Sequence, residues 1–421
     1  MNWLALLLLA QQPPGAQPLT LEEAIAKAVA NNPRVDAARL SALATGETVR
    51  QIRSAYSPTV SALGSAAAAP DDVRLGAGGL NNPIVFSRVG MGLAVNQLIT
   101  DFGRTGQLAQ AASARTLAEQ DVTRSMRGAV VLQVQQAYLA GLRAQATVRV
   151  AEQTVATRQS TLDQISALAA NQLKSELDVR IAQVGVSEAK LLLSAASNDR
   201  QAADAELSTA MGLAVPQHFV LSAPAANAPA LLTLEELIKA AAQDNPEVAQ
   251  RRHLLEAALR MAEAERKARL PAVSAVAAAG VVPAHAERFT RDTYAAAGVN
   301  ITLPMLNGKL IESRRTEANL RAQAAKRTLE EAESRVARNI AVALLAIDNA
   351  AERLALAQEL LARARQALEL AQLRYDLGLS SFVDFSQVQL TVVNAEIQVE
   401  NIRYDAQLQR AILAFHLGTT P

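Results

Sequence analysis

Cysteine is absent from the 421 residues. Disulfides, thiolate metal sites, a cysteine nucleophile and the acylated N-terminal cysteine of a lipoprotein are thereby excluded. Aromatic residues make up only 3%, too few for rings to supply the buried area of a compact core. Neither charge sign dominates: 41 Lys and Arg face 40 Asp and Glu, so the basic footprint of a nucleic-acid binder is missing. Six Met give no thioether path for soft metal ions. His218, His253, His285 and His416 are scattered, without ligand spacing, and no Gly-x-Ser-x-Gly occurs. Gly76-Ala-Gly-Gly79 is followed by no Gly-Lys-Ser/Thr and reads as a loop. Nothing here points to an enzyme, a metal or a cofactor.

Half of the chain is nevertheless hydrophobic, and Ala and Leu carry that half, which favours long, closely packed helices. Trp3 to Ala10 is an apolar run followed by Gln11, Gln12, Pro13 and Pro14. It is too short to span a bilayer and reads as a secretory h-region, with residues 1–17 as the signal peptide. No other run suits a transmembrane helix, so any membrane span must consist of strands.

The chain is written twice. Leu19-Thr-Leu-Glu-Glu-Ala-Ile25 recurs as Leu232-Thr-Leu-Glu-Glu-Leu-Ile238, and Asn31-Asn32-Pro33 as Asp244-Asn245-Pro246. Pro58 is matched by Pro271, Asp101-Phe-Gly103-Arg104 by Leu306-Asn-Gly308-Lys309, Asp178 by Asp384 and Met211-Gly212 by Leu417-Gly418. The expected organisation is a first repeat at 18–212, a Pro- and Ala-rich linker at 213–231 and a second repeat at 232–421. Each repeat reads helix, strand, loop, strand, long helix, turn, long helix. Thr20 with Glu23, and Thr233 with Glu236, form the capping-box pattern; the Asn-Pro that follows breaks the helix.

Strands are expected near 59–69, 84–97, 272–282 and 293–303. Val85, Val89, Met91, Leu93 and Val95 alternate with Arg88, Gly90, Gly92, Ala94 and Asn96. Ala295, Ala297, Val299, Ile301 and Leu303 alternate with Tyr294, Gly298, Asn300 and Thr302. One apolar and one wet face suits a membrane barrel, and equally a half-buried soluble strand. Counted back from Gly103 and Gly308, the two faces are one residue out of phase, so a slip or bulge is expected near Pro304.

Leu108–Gln172 and Leu310–Leu377 contain no Pro. In the second stretch Ile340, Ile347, Leu354, Leu361, Leu368 and Tyr375 recur every seven residues, as do Ala322, Leu329, Val336, Ala343, Ala350, Ala357, Ala364 and Ala371. Large residues at one core position and mostly Ala at the other predict tight left-handed coiled-coil packing. The first copy keeps a looser series, Val134, Val148, Val155 and Leu162 with Ala137, Ala144 and Ala151, interrupted by Gly141 and Arg158. Hairpin tips fall near 172–178 and 378–384. Gly378 ends one helix, Ser380 or Ser381 caps the next, and Asp178 and Asp384 sit in first turns, where negative charge is favoured.

Taken together, the duplicated Leu-Thr-Leu-Glu-Glu starts with Asn-Pro, the Pro-led strands, the Gly-Lys/Arg strand exits and the Gly/Ser…Asp tips resemble the TolC-like outer-membrane efflux proteins. The resemblance implies a mainly α fold with a small β part. In it, three protomers share a twelve-stranded transmembrane β-barrel and an α-helical periplasmic tunnel. It also implies an exit duct of a tripartite efflux pump or type I secretion system, docked to a periplasmic adaptor driven by an inner-membrane transporter. Asp384 matches the acidic position of the family's periplasmic gate, Gln387 stands where some members carry a second Asp, and Tyr375 matches a latch tyrosine. Ser380 replaces an Arg of that latch. The tips Gln172, Leu173, Lys174 and Ser175, and Gly378, Leu379, Ser380 and Ser381, are the implied adaptor-docking residues. A soluble periplasmic scaffold or adaptor is the alternative; it accounts for the heptads but not for the duplicated strand pairs.

Overall fold

The computed structural model of the protein describes residues 18–67, 88–223, 233–284 and 292–419. The expected signal peptide, the Gly76–Gly79 loop, the start of the second expected strand at 84–87, residues 224–231 of the expected linker and His285 lie outside the described residues. The protein is mainly helical with a small antiparallel sheet. In order, the elements are α1 (Leu21–Asn31), α2 (Pro33–Arg53), β1 (Thr59–Ala67), β2 (Arg88–Thr100), α3 (Arg104–Ala170) and α4 (Glu176–Ala210). Then follow α5 (Leu234–Asp244), α6 (Pro246–Lys267), β3 (Ala272–Ala284), β4 (Thr293–Thr302), α7 (Leu310–Asp376) and α8 (Phe382–Leu417). Two compact units form, each from both halves of the chain. One takes the chain up to Ala38, Val122–Val248 and Glu333 onward; the other takes Arg39–Asp121 and Ala249–Ala332.

The first unit is helical. Thr20 and Thr233 close full capping boxes with Glu23 and Glu236, satisfying backbone N–H groups that a helix start leaves orphaned. Asn32 and Asn245 turn the chain between helices: each side-chain oxygen accepts a backbone N–H of the next helix, from Arg34 and from Glu247 and Val248. Gly212 and Gly418 adopt positive φ and lie against the carbonyls of Asn31 and Asp244. An added Cβ at Gly418 would stand 2.6 Å from the Asp244 oxygen, so glycine is required there on both conformational and steric grounds. The main core joins Ala24 and Ala28 to Val130, Val134, Tyr138 and Leu207. Along α7 the heptad series is buried at Val336, Ile340, Ala343, Ile347, Ala350, Ala357 and Ala364. Ala357 meets Val399 and Ile402 of α8, and Ala364 meets Val392 and Ala395, so the small residues on α7 let α8 pack closely against it. The two interruptions in the α3 series have separate causes. Gly141 makes room for Leu221, whose Cδ1 would lie 2.6 Å from a Cβ placed there; Arg158 reaches across to α8.

The second unit holds the sheet, in the order β1-β2-β3-β4, antiparallel throughout. Cross-strand partners place Val60, Ala62, Leu93, Val95, Ala277, Ala279, Val299 and Ile301 on one face. The other face carries Thr59, Ser61, Ser65, Asn96, Ser274, Tyr294 and Asn300 among small residues, with Leu63 and Val276 as its large apolar members. All four strands are therefore in phase, and the slip expected near Pro304 does not occur. Its apparent need came from aligning the two exits on their glycines. Each exit is a turn with two successive positive-φ residues, Phe102–Gly103 and Gly308–Lys309. Matching conformation instead of residue type pairs Phe102 with Gly308 at an offset of 308 − 102 = 206. Backbone hydrogen bonds repeat at that offset: Arg104 N–H to the Asp101 oxygen and Leu310 N–H to the Asn307 oxygen. Glycine occupies the second left-handed position in one copy and the first in the other. The register shifts that are present fall between Val89 and Met91 and between Leu98 and Thr100, against β3.

Candidate functional site

Both hairpin tips are built the same way. Gln172 and Gly378 stand in the left-handed region with φ of 62° and 73°. The amides of Leu173 and Leu379 donate back to the Leu168 and Arg374 carbonyls at 2.9 and 2.8 Å, closing the helix ends in Schellman turns. The next helices begin at Ser175 and Ser381, each in a reciprocal capping box with Asp178 and Asp384. Ser381 is thus the cap, while the Ser380 hydroxyl is buried and finds no partner among the described residues. The Asp384 carboxyl is held below the ordinary carboxylate range by the hydroxyl and backbone N–H of Ser381, with Arg374 adding to the effect. Asp384 and Gln387 are exposed.

Tyr375 faces inward. With Phe382, Phe385, Ile165 and Ala182 it forms a tip core to which α3, α4, α7 and α8 all contribute. Its ring stacks on Phe385 at 5.6 Å between centroids and 7° between planes, and lies tilted 5.6 Å from Phe382. Burial pushes its hydroxyl pKa up, with Asp178 and Asp376 adding to the rise, and the hydroxyl has no hydrogen-bond partner among the described residues. Tyr375 therefore works here as a ring. Lys174 covers that ring, its Nζ 3.8 Å from the centroid and 3.5 Å from the Tyr375 carbonyl oxygen, a cation–π contact. Of the expected docking residues, Lys174 and Ser380 are thus half-buried, whereas Gln172, Leu173, Ser175, Gly378, Leu379 and Ser381 are exposed. Leu173 and Leu379 retain 69% and 65% exposure, so the tips present apolar side chains as well as small and polar ones.

In the sequence Arg158 stands out only as a break in the α3 heptads. Its guanidinium is buried and donates from Nη1 to Ser386 Oγ at 2.9 Å and Gln389 Oε1 at 2.6 Å, and from Nη2 to the Ser386 carbonyl at 3.3 Å. A charged residue on an apolar seam was the available signal; its partners, more than two hundred positions away, were not legible.

The strand exit is held by Asp101, whose carboxylate accepts the Gly103 and Thr105 amides at 3.1 and 2.6 Å. Burial pushes that carboxyl up, but the bonds from Thr105 and Gly103 outweigh it and keep it below its ordinary value. Among the described residues no helix is long and apolar enough to cross a membrane. The sheet has one predominantly apolar face, and among the described residues its edge strands β1 and β4 each have a neighbour on one side only.

Comparisons with known proteins agree with this architecture. The sequence model of the family described as outer membrane efflux protein matches residues 24–213 and 237–419. The solvent efflux pump outer membrane protein SrpC of Pseudomonas putida is 26% identical over 340 residues, covering 77% of this chain and 71% of SrpC. CusC, whose crystal structures concern folding and transmembrane channel formation, superposes with a TM-score of 0.81 at 18% identity, over 95% of this chain and 92% of its own. A membrane protein from Pseudomonas aeruginosa gives 0.79 at 22% identity, over 97% and 98%. Matched by the family over most of its length, the chain belongs to the outer membrane efflux proteins and is an efflux protein of the outer membrane, not a soluble scaffold.

Proposed function

We propose that three copies close their sheets into one twelve-stranded barrel, 3 × 4 strands, with the helices continuing as a periplasmic tunnel. The observation that carries this reading is the open four-stranded sheet with one apolar face. In lipid an unpaired strand edge strands its N–H and C=O groups, each at a cost of several kcal/mol, about the cost of burying an unpaired amide. Joining β1 of one copy to β4 of the next removes both edges. The wet face, with Ser61, Ser65, Asn96, Ser274 and Asn300, then lines the bore.

The duct would be the exit stage of a tripartite pump or a type I secretion system, joined at its tips to a periplasmic adaptor and through it to an inner-membrane transporter. Residues 1–17 would direct export, and the repeats at 18–212 and 232–421 would be the duplicated building blocks. Asp384, with Gln387 and Tyr375, forms the gate in this reading, and three copies of Asp384 make an acidic ring. Residues Gln172–Ser175 and Gly378–Ser381 dock the adaptor. The exposed Leu173 and Leu379 support that role, because apolar side chains at a helical tip are covered by a partner helix. Native mass measurement of detergent-extracted outer membranes tests the assembly. Three copies are expected; a monomer recovered from the aqueous fraction would contradict it.

A further inference from the structure

Far from the tips, α3, α6 and α7 share a groove of 240 Å³ close to the strand exits. Arg115 of α3 and Arg314 and Arg321 of α7 line it, over an apolar floor of Ala258 and Met261 from α6 and Ala318 from α7. Helical spacing gathers them, since Ala258 and Met261, and Arg314, Ala318 and Arg321, recur three or four residues apart on one helix face. The two acids of the groove are engaged, Glu317 with Arg321 at 2.7 Å and Glu265 with Arg104 at 3.4 Å. Arg115 and Arg314 have no ionic partner among the described residues. Two uncommitted guanidiniums over an apolar floor complement an anion that carries an apolar body. Strands β2, β3 and β4 are successive neighbours, so α3, α6 and α7, which leave or enter them, are neighbours in one layer. A hollow reached by all three opens on the concave side of that layer; Glu256, Leu259 and Arg266 of α6 are exposed on its other side.

We propose that this groove is a transit site for amphipathic organic anions on the tunnel wall, just below the barrel. The proposal rests on the tunnel reading: when three sheets close into a ring, the concave side of the helix layer is the lumen. Neighbouring copies join at β1 and β4 and leave that side open. Arg115 and Arg314 hold the carboxylate or sulfonate, and Met261 with the two alanines takes the apolar part. The groove is smaller than the about 300–1,000 Å³ that encloses a drug-sized ligand. It therefore holds one end of the molecule and leaves the rest in the lumen. Weak holding suits a duct, because cargo must leave as readily as it enters. Three copies set three such grooves around one lumen.

The test pairs naphthalenesulfonate with methanesulfonate, which share a head group and differ in the apolar body. Ligand-observed NMR on the detergent-solubilised protein reads binding, and single-channel recording in planar bilayers reads interruptions of the current. The parent should bind naphthalenesulfonate and be interrupted by it, and should ignore methanesulfonate at equal concentration. Arg115→Gln combined with Arg314→Gln should weaken both readouts about tenfold, the worth of a hydrogen bond to a charged group. Met261→Ser should weaken them several-fold with the charge unchanged. Glu317→Gln, which frees Arg321, should strengthen them; damage to the fold would not produce that opposite sign. Equal response to the two sulfonates, or binding indifferent to the arginines in a channel that conducts, would overturn the site and leave the duct standing. Arginine-dependent binding without any interruption of the current would put the groove outside the lumen and overturn the tunnel placement.

Discussion

Gln172 and Gly378 do the same conformational work with different residues. A side chain in the left-handed region costs about 1–2 kcal/mol, partly offset by the greater freedom a glycine loses on folding. Gln172→Gly should therefore tighten the first tip and slow exchange of the Leu173 amide by up to about fivefold. Gly378→Ala should speed exchange of the Leu379 amide; equal rates in parent and variants would refute the account of both turns. Asp384 carries a second prediction. Its folded pKa is depressed by Ser381, so its contribution to the tip is complete above the ordinary carboxylate pKa and is lost as pH falls through the depressed value. Block of the channel by multivalent cations should persist to lower pH than an ordinary carboxylate allows. Ser381→Ala should move the loss of block to higher pH, and Asp384→Ala should weaken the block and raise conductance. Block indifferent to all three changes would remove Asp384 from the gate. A cap at Ser380 or Ser381 was legible in the sequence, as was the place of Asp178 and Asp384 in first turns; that Ser175 and Ser381 are the caps follows from their reciprocal bonds with those aspartates. The inward turn of Lys174 was not, because it depends on a ring two hundred residues away.

The seven-residue series of α7 named its buried stripe almost residue by residue, since helix period and seam are both local properties of the chain. The sheet was harder to read. Its alternation was visible, but its phase was lost by aligning Gly103 with Gly308, when the shared feature is a pair of left-handed residues in which glycine can take either place. Residue type misled where conformation was the conserved quantity. The resulting faces make a direct prediction, and the absence of native cysteine gives a clean background for it. Single cysteines replacing Leu93 or Val299 should react only with a lipid-phase thiol probe, and those replacing Ala94 or Asn300 only with a water-soluble one. Reactivity that fails to alternate would mean that the sheet does not stand in the membrane as proposed. Glycine also matters across this sheet. Tyr294 lies over the paired Gly92 and Gly280, and a Cβ at Gly280 would come within 2.7 Å of its hydroxyl and 2.8 Å of the Gly92 Cα.

Assembly is where physics constrains the molecule most and where one chain shows least. Duplication, strands and long helices could all be read in the sequence, because each leaves a periodic mark. The partner that covers β1 and β4 leaves none, since an edge strand is recognised only once its neighbours are known. Closure between copies is the claim on which barrel, tunnel and gate all depend. Within one chain β1 and β4 lie three strand spacings apart, about 14 Å, beyond the reach of a disulfide. Cysteines introduced in pairs along β1 and β4, scanned through successive registers in the outer membrane, therefore test closure directly. Oxidation at the correct register should give covalent dimers and trimers and nothing larger. A ladder running past three copies, or no crosslink at any register, would contradict it.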